Sequence, residues 1–284
     1  MAASLRSLVH EASGILRQAD VSDVKRDASL LLAYVLNEDV GYLYREPDRR
    51  LTEEETRTFK QLVERRAARE PLSHLTGHRE FWSLDFLVSG DVLDPRPDSE
   101  TLIEAVLLSR SQGFKPQRVL DLGTGSGCLL LTILSEIPSA TGIGVDLSDA
   151  ALAIAQENAR RLGIKARAEF HRGSWDIDLG EKFDLVISNP PYILTGALAD
   201  LQPEVRDFEP HLALDGGVDG LDCYRNILSN IRNILRSGGQ LVFEVGIGQA
   251  PDVGKMMEKA GFSSPQFHKD IGAIERCVSA ILRD

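Results

Sequence analysis

Asn189-Pro190-Pro191-Tyr192 is the stretch of this 284-residue chain whose residue types point most directly to a reaction. Two consecutive prolines fix φ and remove two backbone donors, so the carbonyls there are stiff and partly unpaired. An asparagine side-chain oxygen beside such a carbonyl makes a pair of aimed acceptors. The pair suits a substrate nitrogen carrying two N–H donors, in a planar amide or an aromatic amine. Tyr192 adds a flat wall for that group. The bland alternative is a proline turn after a strand. The preceding Phe183-Asp184-Leu185-Val186-Ile187-Ser188 is β-branched and apolar, which reads as a buried strand. The tetrapeptide then sits at that strand's carboxyl end, where open α/β sheets bind ligands.

A second constellation lies upstream. Val119-Leu120-Asp121-Leu122-Gly123-Thr124-Gly125-Ser126-Gly127 reads as a strand running into a glycine-rich turn that opens a helix. A dinucleotide fingerprint needs G-x-G-x-x-G. Its third glycine would be Cys128 or Leu130 in the two possible registers, so both fail. The D-x-G-x-G-x-G pattern instead resembles the methyltransferase loop that holds S-adenosylmethionine. The next predicted strand ends in Asp146, whose carboxylate can accept from both ribose hydroxyls. A helix cap is the competing role for it, but Asp149 is better placed to cap a helix over 150–162. After the third strand, Gly173-Ser174-Trp175 offers an aromatic face for adenine, although tryptophan more often belongs to a core.

These residues need a scaffold. Strand candidates at 118–122, 141–145, 166–171, 183–188 and 240–245 alternate with helical stretches, which predicts a mostly parallel sheet with helices on both faces over residues 97–284. Residues 71–96 are expected to form a hairpin and linker, built on Phe81-Trp82-Ser83-Leu84-Asp85-Phe86-Leu87-Val88. Residues 1–70 read as helices alone, with apolar residues at helical spacing. Ser22 is the expected cap of the second helix, and Thr52-Glu53-Glu54-Glu55 forms a capping box for the third. Such a bundle could dock a partner or merely pack.

With 43% hydrophobic and 26% charged residues, composition indicates neither disorder nor a membrane protein. The start, Met1-Ala2-Ala3-Ser4-Leu5-Arg6, leads into an amphipathic pattern rather than a signal-peptide core. Cys128, Cys223 and Cys277 form no short-spaced pair, as expected of reduced thiols in a cytosolic protein. A net charge of −11 disfavours a free nucleic-acid substrate, which is bound through phosphate neutralisation.

Over essentially its whole length the chain resembles the N(5)-glutamine methyltransferases that modify class I peptide chain release factors. The resemblance is carried by Gly77-His78-Arg79-Glu80-Phe81-Trp82, Pro95-Arg96-Pro97-Asp98-Ser99-Glu100, the glycine loop, Asn189-Pro190-Pro191-Tyr192, and Glu209-Pro210 with Ala213-Leu214-Asp215-Gly216-Gly217. It implies a Rossmann-like class I methyltransferase domain, α/β with a mostly parallel seven-stranded sheet, and a small N-terminal all-α bundle that docks the substrate. It implies S-adenosylmethionine as donor, S-adenosylhomocysteine as product, and the glutamine of the release factor's Gly-Gly-Gln motif as acceptor, tuning translation termination. Carried over by motif, Gly123, Thr124, Gly125, Ser126, Gly127, Asp146, Trp175 and Asn189 bind the cofactor. Asn189, Pro190, Pro191 and Tyr192 hold the amide, with Asn189, Pro190 and Tyr192 catalytic, while Arg96 and Glu100 shape the substrate cleft. A cytoplasmic monomer is expected, with no metal, membrane or direct nucleic-acid contact.

Two decoys and three rivals are weighed against this. Gly238-Gly239-Gln240 is the tripeptide such an enzyme would modify, but it reads as a helix-to-strand turn with Gln240 opening a strand. His74 and His78 mimic helical metal spacing, yet Gly77 and the lack of a third ligand argue for a loop pair. An enzyme acting on the exocyclic amine of adenine would satisfy the same acceptors and would need a basic groove and an extruded base. A non-catalytic scaffold and a nicotinamide oxidoreductase fit the motifs less well. Residues 193–220 are expected to loop over the cleft, bringing Glu209 and Pro210 near the substrate.

Overall fold

The computed structural model describes residues 4–284, so the reading of Met1-Ala2-Ala3 lies outside the described residues. The chain divides into two compact units. One comprises the chain up to His78 together with Gln202–Phe208, and the other comprises Arg79–Leu201 and Glu209–Asp284. The hairpin residues from Arg79 fall within the second unit.

The first unit is built from helices. They are α1 (Leu5–Gln18), α2 (Val24–Leu36), α3 (Val40–Arg45), α4 (Glu53–Ala67) and α5 (Leu72–Thr76). The capping box at α4 forms as its sequence dictates: Glu55 N donates to Thr52 Oγ1 at 3.2 Å and Thr52 N donates to Glu55 Oε2 at 2.7 Å. The start of α2 differs from expectation. Asp23, not Ser22, occupies the N-cap, and its side chain makes no capping bond. Leu5, Leu8, Leu16, Leu31, Phe59 and Leu62 bury the faces that the helical periodicity marked.

A two-stranded sheet of β1 (His78–Phe81) and β2 (Leu84–Leu87) starts at the boundary residue His78 and leads into the second unit. Trp82 and Ser83 between them have φ of 51° and 59°, the positive pair that a tight primed hairpin turn requires. There follow α6 (Glu100–Ser111), β3 (Arg118–Leu122), α7 (Cys128–Glu136), β4 (Thr141–Asp146), α8 (Asp149–Arg161), β5 (Ala168–Arg172) and β6 (Phe183–Ser188). After β6 the chain leaves for the first unit, where it forms the short α9 (Pro203–Arg206). It returns as α10 (Asp222–Ile234), β7 (Leu235–Glu244), α11 (Ala250–Lys259), β8 (Gln266–Lys269) and β9 (Glu275–Ile281).

The main sheet has seven strands in the order β5-β4-β3-β6-β7-β9-β8. The pairs from β5 to β7 are parallel, and β9 adds antiparallel to β7 and to β8. Both faces are covered, so the strands read as continuous apolar runs. Leu120, Leu122 and Val186 pack with Tyr224 and Ile227 of α10 and Val253 of α11. Val119, Leu185 and Ile187 pack on the other face with Ile103 of α6 and Leu130 of α7. Strand order reverses between β3 and β6, later strands being added on the opposite side, which makes their carboxyl ends the crevice of the sheet.

Gly238-Gly239-Gln240 lies inside β7, which begins at Leu235, five positions before the residue expected to open it. The pairing with β6 skips between Phe183 and Leu185, and Gly238 takes φ 75°, so the glycines form an irregularity in the strand. Gln240 is buried and donates Nε2 to Ser109 Oγ at 2.7 Å. No helix among the described residues is long and apolar enough to cross a membrane.

Candidate active site

The glycine loop leaves β3 and is pinned at once to its neighbour. Gly123 N and Thr124 N both donate to Val145 O, at 2.8 and 2.9 Å. Gly123, Gly125 and Gly127 take φ of 74°, 54° and 81°. A Cβ on Gly123 would stand 3.2 Å from the Trp175 ring, and one on Gly127 3.1 Å from Leu131 and 3.2 Å from Ala155. At Gly125 the space is open, as close approach of a ligand to the backbone demands. Below the loop Asp121 is fully buried. Thr124 Oγ1 donates to its Oδ2 at 2.7 Å, while Oδ1 has no partner. Burial pushes the Asp121 carboxyl up to about 7. Ser126 Oγ is likewise buried without a partner.

Asp146 ends β4 with both oxygens engaged, Oδ2 by Gly125 N and Oδ1 by Ser148 N, each at 2.9 Å. It therefore ties the glycine loop to the turn that precedes α8. The cap of α8 is Ser148, whose Oγ accepts from Ala151 N at 3.2 Å. Asp149, the expected cap, sits inside the first turn and pairs with Arg172 at 3.0 Å.

A third wall comes from the segment after the hairpin. Asn158, fully buried on α8, accepts from Leu87 N at 2.7 Å and donates to Leu87 O at 3.0 Å and to Ser126 O at 2.9 Å. One side chain thus fixes β2 to the glycine loop and brings Val92, Leu93 and Arg96 to the cleft. Arg96 donates through Nη2 to both oxygens of Glu209, at 2.6 and 2.7 Å. Burial drives the Glu209 carboxyl up to about 7 against the opposing pull of Arg96. Glu100 is not among the cleft residues. Its Oε1 accepts from Trp82 N at 2.9 Å, which holds the hairpin turn.

At the end of β6, Ser188 Oγ donates to Leu122 O at 2.6 Å and locks the two strand ends together. Asn189 and Pro191 line the cleft, whereas Pro190 is buried and no donor among the described residues reaches its carbonyl. Asn189 Nδ2 donates to Ser99 Oγ at 3.4 Å. Tyr192 is half-buried outside the cleft lining, and burial raises its hydroxyl well above the usual range. Its carbonyl accepts from Gln249 Nε2 at 3.1 Å, and Gln249 also grips Gly220 O and Gly246 N. A Cβ on Gly216 would lie 2.7 Å from Tyr192 Cα, so the returning loop presses on the motif's backbone.

The result is a cleft of about 340 Å³, within the usual range for a small-molecule site. Gly123, Thr124, Gly125, Ser126, Asp146 and Trp175 line one part of it, and Arg96, Asn189 and Pro191 also contribute. Gly127 lies just behind, as the N-cap of α7. The sequence reading missed Asn158, Ser99 and Gln249. Asn158 carried a signal, being a polar residue beside Ala155 and Ala159 on a helix's inward face, while Gln249 carried none.

Matches to known proteins follow the same division. The family described as the PrmC N-terminal domain matches residues 7–77, and the one described as a methyltransferase domain matches residues 114–263. A release factor glutamine methyltransferase of Rhodospirillum rubrum is 43% identical over 278 residues, covering 97% of this chain and 84% of its own. One from Moorella thermoacetica is 40% identical over 283 residues, 99% of each chain. Among solved structures, the hMettl16 catalytic domain in complex with MAT2A 3′UTR hairpin 6 aligns with a TM-score of 0.58. Its identity is 14%, over 78% of this chain and 82% of its own. A Pyrococcus furiosus methyltransferase aligns at 0.53 with 16% identity, over 72% and 91%. At such identities the structural likeness is one of fold.

Proposed function

The chain belongs to the release factor glutamine methyltransferases, and from that premise we propose that it methylates the side-chain nitrogen of the Gly-Gly-Gln glutamine in class I peptide chain release factors, tuning translation termination. S-adenosylmethionine supplies a methyl group on an electrophilic sulfonium and leaves as S-adenosylhomocysteine. The residues present fit that group: a glycine cradle open at Gly125, a buried unpaired hydroxyl on Ser126, an aromatic at Trp175 and the carboxylate of Asp146. Asp146 keeps lone pairs for ribose hydroxyls beyond the two bonds it already accepts.

The observation that carries the reading is Asn189 at the end of β6, on the same cleft as the glycine loop, with its nitrogen turned to Ser99. That leaves Oδ1, beside the unbonded carbonyl of Pro190, to accept the two N–H bonds of an amide. An amide nitrogen is a poor nucleophile because its lone pair is delocalised. Holding both hydrogens aims what remains of the lone pair at the methyl group. As positive charge grows on nitrogen the same fixed dipoles bind it more strongly, which is stabilisation confined to the transition state. Arg96, held by Glu209, shapes the cleft wall, and the helical unit docks the release factor.

The test is transfer of labelled methyl from S-adenosylmethionine to a purified class I release factor, beside the same factor with its Gly-Gly-Gln glutamine replaced and adenine-containing DNA. Label on the intact factor alone is expected. Asn189→Ala should lower turnover about a hundredfold, as for loss of one oriented polar group, with a smaller change in cofactor affinity. Label on DNA alone, or wild-type turnover in that variant, refutes the proposal.

A further inference from the structure

The two prolines of Asn189-Pro190-Pro191-Tyr192 stiffen the motif but also deprive it of backbone donors, so no strand ladder can hold it. Upstream it is fixed where Ser188 pairs with Phe243 of β7. Downstream, Ile193 N donates to Leu214 O at 3.0 Å and Gly216 N donates to Ile193 O at 2.8 Å. Between those points, among the described residues, the motif's backbone makes one hydrogen bond: Tyr192 O accepts from Gln249 Nε2 at 3.1 Å. Gln249 stands at the N-cap of α11, half-buried and outside the cleft lining, and its side chain makes no capping bond. Its carboxamide is committed elsewhere. Oε1 accepts from Gly246 N at 3.0 Å, which turns Nε2 toward Tyr192 O and toward Gly220 O at 3.2 Å. The surrounding backbone leaves that group no slack. A Cβ on Gly220, whose φ is 72°, would stand 2.5 Å from Tyr192 O and 2.6 Å from Gln249 Nε2. One on Gly246 would lie 2.8 Å from Gln249 Oε1.

We propose that Gln249 is a positioning residue for methyl transfer: it supplies the backbone hydrogen bond that the two prolines leave unmade, and so keeps the Pro190 carbonyl aimed beside Asn189 Oδ1. Gln249 does not touch the reacting atoms, and the inference rests on the acceptor role proposed for Asn189 and Pro190. With φ fixed at both prolines, the freedom left to the segment is rotation about its Cα–C bonds. Pinning Tyr192 O stops the swing that would carry the carbonyl two residues upstream off its line. Two acceptors that must meet two N–H bonds at once tolerate little misplacement, since about 1 Å can cost on the order of a hundredfold in rate. The residue type fits this role better than a helix cap. Serine, threonine, aspartate or asparagine would cap α11 more effectively, whereas the longer arm of glutamine reaches Tyr192 and Gly220.

The test measures kcat and KM for labelled methyl transfer to a purified class I release factor, together with the Kd of S-adenosylmethionine, for Gln249→Met and Gln249→Glu. Asn189→Ala is carried in parallel. Gln249→Met keeps the arm's length without its polar atoms. It should lower kcat about tenfold, the worth of roughly one oriented hydrogen bond, with KM and cofactor Kd changed by no more than about twofold. Gln249→Glu keeps the size and the bond from Gly246 N, but an ionised carboxylate turns acceptors toward two carbonyls, so it should be slower than Gln249→Met. Wild-type kcat in Gln249→Met, a glutamate variant faster than the methionine one, or a fall in cofactor affinity matching the fall in kcat would each overturn the inference. Should Gln249→Glu not fold, Gln249→Met alone decides, and failure of both to fold would mark a general structural role and overturn it too. If the wild type leaves the factor unlabelled, or Asn189→Ala turns over normally, the proposed acceptor site falls and this inference with it. If Asn189→Ala is slow and Gln249→Met is not, this inference alone falls.

Discussion

Replacing Glu244 with glutamine removes a charge from the core while nearly conserving shape, and the structure fixes how the effect must vary with pH. Burial pushes the Glu244 carboxyl from 4.5 to about 7, opposed by the nearby Ser99 hydroxyl and by Arg276. At about 1.4 kcal/mol per tenfold change, that shift corresponds to roughly 3 kcal/mol. The native state holds the proton more tightly than the unfolded chain. The favourable contribution is therefore complete below pH 4.5 and lost as pH rises through 7. Glutamine has no such dependence. Relative to wild type, Glu244→Gln should gain about 3 kcal/mol between pH 4.5 and pH 8, or about 6–12 °C in the melting of a domain near 200 residues. The assay is urea and thermal unfolding of the cofactor-free protein at pH 5, 6, 7 and 8, read as the difference between the two proteins. Asp121 and Glu209 are raised in the same sense, so each gives wild type a falling stability over this range, but both are present in the variant and cancel in the difference. A difference constant to within about 0.5 kcal/mol across the series would refute the argument.

Two further outcomes follow from buried polar groups. Asn158→Ala removes three hydrogen bonds of 2.7–3.0 Å and orphans the Leu87 and Ser126 groups they satisfied. It should cost about 3 kcal/mol in a urea titration, and an unchanged midpoint would contradict that. In the helical unit, Glu204 accepts from Arg66 at 3.2 Å and from Arg69 at 2.6 and 2.7 Å, and Arg66 also donates to Asp27 at 2.7 Å. Glu204→Gln leaves the nearly buried Arg66 short of charge compensation and should cost about 3 kcal/mol, seen as faster hydrogen exchange in α2 and α4. Protection equal to wild type would sink it.

The local grammar of this chain is legible in its sequence. The strands Arg118–Leu122 and Phe183–Ser188 and the capping box at Thr52 follow from residue order alone, because each depends on contacts within a few positions. The glycine turn is equally local, since positive φ at Gly123, Gly125 and Gly127 is a property of those residues. Where the sequence reading slipped, the competing choices were local and close in energy. Asp23 against Ser22, and Ser148 against Asp149, are neighbours that can all cap a helix. The start of β7 at Leu235 was hidden because glycines that look like a turn are tolerated as an irregularity when the adjoining strand continues the pairing.

Tertiary structure decided the rest. Glu100 looked like a cleft residue by its place in the motif, yet the fold gives its carboxylate to the Trp82 amide. Glu204 lies in the catalytic half of the sequence, but its segment folds with the helices near the chain's start. Ser99 and Asn189 are far apart in the sequence and meet only in the folded chain, where Asn189 Nδ2 donates to Ser99 Oγ at 3.4 Å. Residue types and spacing set which groups stand at the strand ends. Which way those groups point depends on hydrogen bonds between distant elements, and no local pattern encodes them.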